Sequence, residues 1–269
     1  MSPSEGQADV PRPRRALGWA PPVLLVVGAL LAWQLWVDRA GVKSWLLPSP
    51  SVIAKTLVGD RGLLLSNAST TLWEVLLGFA AALAVGVLVA VAIDASATVD
   101  RAVYPLVVAS QAVPVIALAP LLLTWFGYGI APKVIVVALL AFFPIVVNTV
   151  DGLRSADRES LDMLKTFGAG RWARFWMVKA PGAMPGVFSG ARIGVAVSVI
   201  GAVFGEYVGS KAGLGYLINI SNAQFNTPRV FAAIVVLAVM AMALFGAVAM
   251  TERLALPWRR FTTSARNDR

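Results

Sequence analysis

The sequence predicts an all-α, polytopic membrane protein with six transmembrane helices. Of its 269 residues, 58% are hydrophobic and only 14% are charged, whereas roughly 25% of the residues of a soluble domain are charged. The hydrophobic residues fall in uncharged runs close to the roughly 20 residues that one bilayer crossing requires. This composition excludes an ordinary soluble globule, a disordered chain and a disulfide-linked scaffold.

The sequence contains neither histidine nor cysteine. This absence excludes metal sites built from Cys and His, cysteine nucleophiles, Ser-His-Asp triads and histidine-based pH switching. The sequence also has no GxxxxGK[ST] pattern, so the chain does not bind ATP through a P-loop of its own. We therefore expect no catalytic residue, no metal and no cofactor in this chain.

The first two spans follow from runs without charge. Residues 16–37 are 22 uncharged residues between Arg15 and Asp38. This run is too long for a signal peptide and lacks a clear cleavage site, so we interpret it as an uncleaved signal anchor. Residues 75–93 are 19 uncharged residues, and Glu74 is predicted to open the second span.

The third and fourth spans lie on either side of Lys133. Between Arg101 and Lys133 there are 31 uncharged residues, and 17 follow Lys133. Prolines within a membrane bend helices and free carbonyl groups that neighbouring side chains or water must satisfy. We expect a bend near Pro114, where Gln111 either satisfies freed backbone groups or lines a passage.

The fifth span is predicted at 187–208, although its uncharged core, 193–205, has only 13 residues. We expect Arg192 to extend its charged group to one interface and Glu206 to lie near the other. A re-entrant helix is the alternative. Glu206 is either solvated at the outer interface or part of a pathway.

The sixth span follows from 22 uncharged residues between Arg229 and Glu252. Gly190 with Gly194, and Gly201 with Gly205, form GxxxG patterns that predict close helix packing. The six predicted spans are 17–37, 70–93, 102–126, 130–150, 187–208 and 230–251.

The distribution of positive charge predicts the orientation. Six spans place both termini on one side; if that side is cytoplasmic, it holds 16 of the 23 Lys and Arg residues and the outer side holds 7. Cytoplasmic loops carry an excess of these residues, which predicts N-in and C-in. Much of the net charge of +9 is therefore a topology signal, and we expect no nucleic-acid partner.

The longest inner loop, 151–185, contains two helical patterns separated by Gly168, Ala169 and Gly170. The second pattern places aromatic residues at helical spacing beside arginines, which is typical of a helix lying on a lipid surface, and Pro181 is predicted to end it. The first pattern, from Arg158 to Phe167, is predicted to dock on a partner. The alternative is that the whole loop lies along the lipid.

The loop resembles the signature of the inner-membrane permeases of binding-protein-dependent ABC importers. That signature reads Glu-Ala-Ala, three residues, Gly, nine residues, Ile, one residue, Leu-Pro. With Gly168 as its glycine, the Glu-Ala-Ala, Ile and Leu-Pro positions are occupied by Asp162, Met163, Leu164, Val178, Ala180 and Pro181. The spacing matches without a gap, although Asp replaces Glu, Met-Leu replaces Ala-Ala, and Ala180 replaces Leu.

The resemblance extends over about residues 47–260. LPSPSVI, TLWEVLLGF, QAVPVIALAPLLLTWFGYG and GLGYLI are similar to the nitrate, sulfonate and taurine permeases. FFPIVVNTVDGLRS and SVIGAVFGEYVG look closer to permeases that serve thiamine-precursor pyrimidines or riboflavin.

The resemblance implies a type I ABC importer permease fold in the bacterial plasma (inner) membrane. Its expected partners are cytoplasmic ABC ATPase subunits that hold ATP and Mg²⁺, an extracytoplasmic solute-binding protein and a second permease copy, so the chain itself is not expected to be an enzyme. The implied ATPase-coupling residues are Leu161, Asp162, Met163, Leu164, Phe167, Gly168, Ala169, Gly170 and Pro181. The predicted pathway residues are Gln111, Pro114 and Glu206.

The predicted organisation has four parts. A disordered cytoplasmic tail, 1–15, precedes the first helix and an outer segment, 16–66; the core permease domain, 67–254, contains the loop 151–185, and a basic tail, 255–269, follows. An ATP-independent secondary transporter or channel is the alternative function, usually marked by inverted repeats or intramembrane charges. A membrane enzyme is a third reading, which the lack of catalytic clusters disfavours.

Overall fold

The computed structural model describes residues 20–257, and within that range every regular element is helical. The all-α prediction is therefore confirmed. The predicted tail 1–15 and most of the tail 255–269 lie outside the described residues. The helices are α1 (Ala20–Ala40), α2 (Pro50–Gly59), α3 (Arg61–Ala95), α4 (Ala97–Ala109), α5 (Val115–Phe126), α6 (Ala131–Arg154), α7 (Arg158–Thr166), α8 (Arg171–Arg174), α9 (Ala180–Gly209), α10 (Leu214–Ala223) and α11 (Thr227–Ala255).

Five helices in the described range are long and apolar enough to cross a membrane, and a bent pair makes a sixth candidate if it is counted as one span. The five are Pro21–Ala40, Arg61–Ala95, Ala131–Arg154, Arg171–Gly209 and Thr227–Ala255. These positions agree with the predicted spans, although the second helix begins at Arg61. Glu74 therefore lies inside that helix, 13 residues after its start, and its place at the opening of the bilayer crossing stays a prediction.

The centre of the bundle is α6, which packs most extensively against α9 and α3. The contact between α6 and α9 depends on glycine: a Cβ atom at Gly190 would lie 2.8 Å from the carbonyl oxygen of Pro144, and one at Gly201 would lie 3.0 Å from Leu140. The predicted close packing of the GxxxG glycines is confirmed. Without side chains there, the two backbones approach closely and present a broad area for van der Waals contact.

The third predicted span is broken into two helices. α4 is followed by a 3₁₀ turn, Ser110–Ala112, and α5 begins after Pro114 at an angle of 96°. Pro114 has no N–H to continue the helix, and it holds the preceding Val113 in an extended conformation (φ −82°, ψ 120°). The expected bend is present, but it is a sharp break and not a gentle kink.

The fifth span continues directly from the helix that precedes it. α8 passes through a π-helical segment, Phe175–Lys179, into α9, so that one helix runs from Arg171 to Gly209. Pro181 lies in the first turn of α9, where a missing N–H is tolerated. The prediction that Pro181 ends the preceding helix is wrong because the wider π turn accommodates it. A helix of 39 residues also favours a full crossing over a re-entrant one.

α1 lies apart from the rest of the bundle. Most of its large apolar side chains are exposed, and its principal contacts are with α2. One aromatic contact, between Trp33 and Phe231 of α11, has its ring centroids 5.9 Å apart. The core that positions the candidate site is therefore built from α3, α6, α9 and α11.

Candidate functional site

The segment between α6 and α9 carries the predicted coupling residues, and its helix α7 is capped by Asp157. The Asp157 carboxylate accepts hydrogen bonds from the backbone N–H and the hydroxyl of Ser160. These two bonds stabilise the charged form and lower the pKa of Asp157 below its ordinary value. The cap fixes the start of α7 where the sequence predicted a helix from Arg158.

The end of the bundle that carries the segment between α6 and α9 is called the loop end. At the loop end, α7 and the residue that follows it present an exposed surface. Met163 is 55% exposed and Phe167 is 79% exposed. Asp162 is also exposed, whereas Leu161 and Leu164 are partly buried. Large apolar groups with this exposure beside a carboxylate are typical of a surface that a partner covers.

Gly168 ends this surface with a sharp turn. Its φ of +79° lies in the left-handed region, which glycine enters without the steric cost that a Cβ imposes. The N–H of Gly168 donates to the carbonyl of Lys165, and the N–H of Ala169 donates to that of Leu164. Gly170, at φ −64° and ψ 167°, then leads into α8, and Pro181 lies more than two turns further along.

The helices that hold this segment touch each other closely at its base. A Cβ atom at Gly152 would lie 2.9 Å from the carbonyl oxygen of Ala183, and one at Gly186 would lie 2.4 Å from that of Asn148. The end of α6 and the start of α9 therefore pack closely together at the base of the segment that carries α7.

Two of the predicted pathway residues, Gln111 and Pro114, lie together at the break between α4 and α5, and both are exposed. Among residues 20–257 the Gln111 side chain has no hydrogen-bond partner. This observation argues against the interpretation that Gln111 only satisfies local backbone groups. Its role in a pathway stays a prediction.

The third predicted pathway residue, Glu206, lies in a different place. It is 1% exposed, and its carboxylate accepts hydrogen bonds of 2.6 Å from the Thr71 hydroxyl and from the backbone N–H of Gly215. The interpretation of Glu206 as a solvated interfacial residue is wrong, because α10 and the turn before it cover the end of α9. The structure does not bring Glu206 together with Gln111.

The network around Glu206 fastens the turn between α9 and α10. The N–H of Gly213 donates to Asn67 at 2.8 Å, and the N–H of Leu214 donates to Thr71 at 2.8 Å. With the bond to Gly215, three successive backbone donors are satisfied by side chains of α3 and α9. Gly213 has φ +110°, and a Cβ there would meet the Glu206 carboxylate at 2.2 Å, so the turn requires glycine.

An ion pair adjoins this network and was not predicted from the sequence. The Nζ of Lys133 donates to Glu74 Oε1 and to Ser210 Oγ, both at 2.6 Å. The side chains of Lys133 and Glu74 are only 9% and 1% exposed, so both charges are buried among the helices, and the assignment of Lys133 to the outer side stays a prediction. The available signal was the spacing of Asn67, Thr71 and Glu74, which places three polar groups on one face of an apolar helix.

No described group of three or more His, Cys, Asp or Glu side chains is arranged to hold a metal ion.

Arg192, expected to extend towards an interface, forms an ion pair with Glu252 of α11.

These features define a helical membrane protein whose long, tightly packed helices carry an exposed connecting helix at one end. The chain belongs to the family described as the binding-protein-dependent transport system inner membrane component, whose model matches residues 74–255. It is therefore a multi-pass permease component of an ABC importer and not an enzyme.

Two relatives and one solved structure agree with this assignment. The formylaminopyrimidine transport permease protein ThiX of Halalkalibacterium halodurans is 39% identical over 89% of this chain and 96% of its own length. The riboflavin transport system permease protein RibX of Chloroflexus aurantiacus is 39% identical over 88% of this chain and 89% of its own. An inward-facing MetNI methionine ABC transporter has the same fold, with a TM-score of 0.65 at 19% identity over 73% of this chain and 97% of that chain.

Proposed function

We propose that this chain is the permease of an ATP-driven importer, and that a separate ATPase, binding ATP and Mg²⁺, docks on α7. The exposed surface of Met163 and Phe167 supports this proposal most directly, because it lies on the segment that connects α6 to the helix leading into α9. Nucleotide-driven movement of the ATPase would displace α7 and, through the close contact of Gly152 with α9, both supporting helices.

We propose a small organic solute as the cargo. The two relatives that are 39% identical to this chain are a formylaminopyrimidine permease and a riboflavin permease, which favours a pyrimidine precursor of thiamine or riboflavin over a sulfonate or nitrate. A solute-binding protein on the outer side would deliver it, and the loop end would face the cytoplasm, with both termini inside.

The passage itself is proposed to form between two copies of the chain. The break at Gln111 and Pro114 is exposed, and large apolar side chains beside it, including Leu106, Leu121 and Trp125, are exposed as well. Apolar groups around a few polar ones are typical of an interface that encloses a solute path. This surface belongs to the bent pair, in which α4 packs mainly on α3 and α5 packs on α6 and α9.

Transport by reconstituted components tests the proposal. The chain, its ATPase and its binding protein would be placed in proteoliposomes, and uptake of radiolabelled riboflavin, formylaminopyrimidine, taurine and nitrate would be compared. We expect uptake of one solute that requires both ATP and the binding protein. Uptake that persists without the ATPase would instead identify a secondary transporter or channel.

A further inference from the structure

A cavity of about 520 Å³ opens at the loop end, between the last turn of α3 and the helix that begins at Arg171. Asp94 and Ala95 of α3 form one wall, and Arg171, Arg174 and Lys179 form the other. It lies beside the base of α7, which contributes only Leu161, and it is separate from the exposed Met163 and Phe167.

The charges that line the cavity do not balance. Lys179 donates to both carboxylate oxygens of Asp94 at 2.8 Å, so the one acidic group in the lining is already paired. Arg171 donates to the carbonyl oxygen of Ala95 at 3.2 Å, which is a neutral acceptor. Two guanidinium charges, those of Arg171 and Arg174, are therefore left without an anion among the described residues of the cavity wall.

Arg174 carries the clearest sign of a missing partner. Its Nε is buried and makes no hydrogen bond to any group in the described range. A buried donor without an acceptor costs roughly 1–3 kcal/mol, and more when it is charged. The rest of the guanidinium group belongs to a residue that lines the cavity, and the planar fork of such a group fits the oxygens of a phosphate.

The surroundings indicate where such an anion comes from. Trp172 and Trp176 are 70% and 58% exposed, and Met177 beside them is also exposed. Trp172 stacks on Phe175 with ring centroids 5.8 Å apart, so a rigid aromatic surface adjoins the arginines. Tryptophan with arginine at the end of a membrane-spanning helix is the arrangement found at the level of lipid headgroups.

We propose that this cavity binds the phosphate of an anionic phospholipid from the leaflet at the loop end. Arg171 and Arg174 donate to the phosphate oxygens, Lys179 is held in the wall by Asp94, and Trp172 contacts the glycerol and acyl region. The bound lipid anchors the start of the helix Arg171–Gly209 at the membrane surface, next to the moving segment.

The test uses the full chain purified with its ATPase in nanodiscs of phosphatidylglycerol and phosphatidylcholine. Native mass spectrometry measures the phosphatidylglycerol that stays bound to the protein after the protein is released from the nanodiscs. Each basic residue near an anionic surface contributes roughly 1 kcal/mol, or about fivefold in affinity. We expect Arg171→Gln with Arg174→Gln to lower phosphatidylglycerol binding by roughly 20- to 30-fold, and the corresponding double Lys variant to retain most of it.

The matched control is Arg101→Gln with Arg253→Gln, which neutralises two exposed arginines outside the cavity. Equal phosphatidylglycerol binding by the two Gln double variants would overturn the proposal. The proposal would also be overturned if the variant with Arg171→Gln and Arg174→Gln lost the ATPase but bound lipid as before. The cavity would then belong to the ATPase interface. Displacement of the lipid by inorganic phosphate at equal concentration would assign the site to free phosphate.

Discussion

Lys133 and Glu74 form a buried ion pair. Its contribution to the stability of the protein depends on both partners being present. Each side chain is at most 9% exposed. Bringing two charges out of water costs several kcal/mol for each ion, and their mutual attraction offsets this cost only while both remain. Glu206, with its hydrogen bonds to Thr71 and Gly215, adds a second buried carboxyl group nearby.

Replacing Lys133 alone is therefore predicted to destabilise the protein. We expect Lys133→Met to lower the free energy of unfolding by about 3–5 kcal/mol, because Glu74 is left buried and unpaired. Unfolding in mixed detergent micelles, followed by intrinsic tryptophan fluorescence, measures the change.

The double variant Glu74→Met, Lys133→Met provides the comparison. Removing both charges is expected to restore most of the lost stability, since well-packed apolar pairs often replace buried ion pairs at little cost. Lys211→Met, at an exposed lysine, is the matched control and is expected to have little effect. A similar loss for Lys133→Met and Lys211→Met would contradict a stabilising role of the pair.

At the residue scale, the sequence identified Glu206 but not its surroundings. The partners of Glu206 come from α3 and from the N-terminus of α10, and the sequence separation from Thr71 is 135 residues. Hydropathy treats each span separately, so it predicts a charge near a span end to be solvated. Only the tertiary packing of the turn before α10 over that end shows that Glu206 is buried.

The coupling segment belongs to the scale of elements, and Gly168 is its most restrictive position. We expect Gly168→Pro to leave membrane insertion intact but to abolish ATP-dependent uptake, since proline fixes φ near −65° and Gly168 requires +79°. ATP hydrolysis and solute uptake, measured on the same proteoliposomes, separate loss of coupling from loss of the complex.

Gly170→Pro is the matched control. Gly170 is also a predicted coupling residue, but its φ of −64° and ψ of 167° are angles that proline adopts without strain. We therefore expect Gly170→Pro to lower uptake much less than Gly168→Pro does. If Gly168→Pro transports as well as Gly170→Pro at equal expression, the turn at Gly168 has no part in coupling.

The break between α4 and α5 allows a labelling experiment, because the chain contains no cysteine and single cysteines are easily introduced. We expect Gln111→Cys to react with a charged, membrane-impermeant thiol reagent, since the proposed passage is wet. Mass spectrometry of the labelled chain measures the extent of reaction.

Two further single cysteines make that experiment decisive. Ala119→Cys reports a buried position on the same bent pair, and Val239→Cys reports an exposed position on α11 that we expect to face lipid; both are expected to react slowly. A Gln111→Cys protein as unreactive as Val239→Cys would show that the break faces lipid.

The elements themselves were largely predictable. Uncharged runs located the long helices α1, α3, α6 and α11, because the bilayer imposes a length of about 20 apolar residues. Glycine spacing indicated that α9 packs closely on a neighbour, although it did not identify α6 as that neighbour. The proline effects were harder to predict, because Pro114 breaks a helix whereas Pro181 lies within the first turn of one. The difference depends on the π-helical segment before α9, which the sequence pattern does not reveal.

At the scale of the whole molecule, the predicted orientation has a direct test. We expect a reporter fused after Arg260, beyond the described residues, to face the cytoplasm, because 16 of the 23 basic residues would then lie inside. Paired fusions to alkaline phosphatase and to green fluorescent protein report whether the C-terminus lies outside or inside the cell. An external C-terminus would require an odd number of crossings, and the bent pair α4 and α5 would then be a re-entrant loop.

The family assignment was predictable at this scale because the loop signature around Gly168 combines residue types with fixed spacing over twenty residues. The cargo was not, since the described residues place no solute-specific group at the break beyond Gln111. Selectivity in a binding-protein-dependent system is expected to depend largely on another protein.

The glycine contact between α6 and α9 also has a consequence for movement, if the two helices tilt together. α6 has 24 residues, which corresponds to a length of about 36 Å at 1.5 Å per residue. If α6 and α9 tilt as one rod about the loop end, a rotation of about 5° moves the far end by about 3 Å. Such a tilt would displace Lys133 more than any residue near the loop end, because Lys133 lies in the first turn of α6 at the opposite end of the helix.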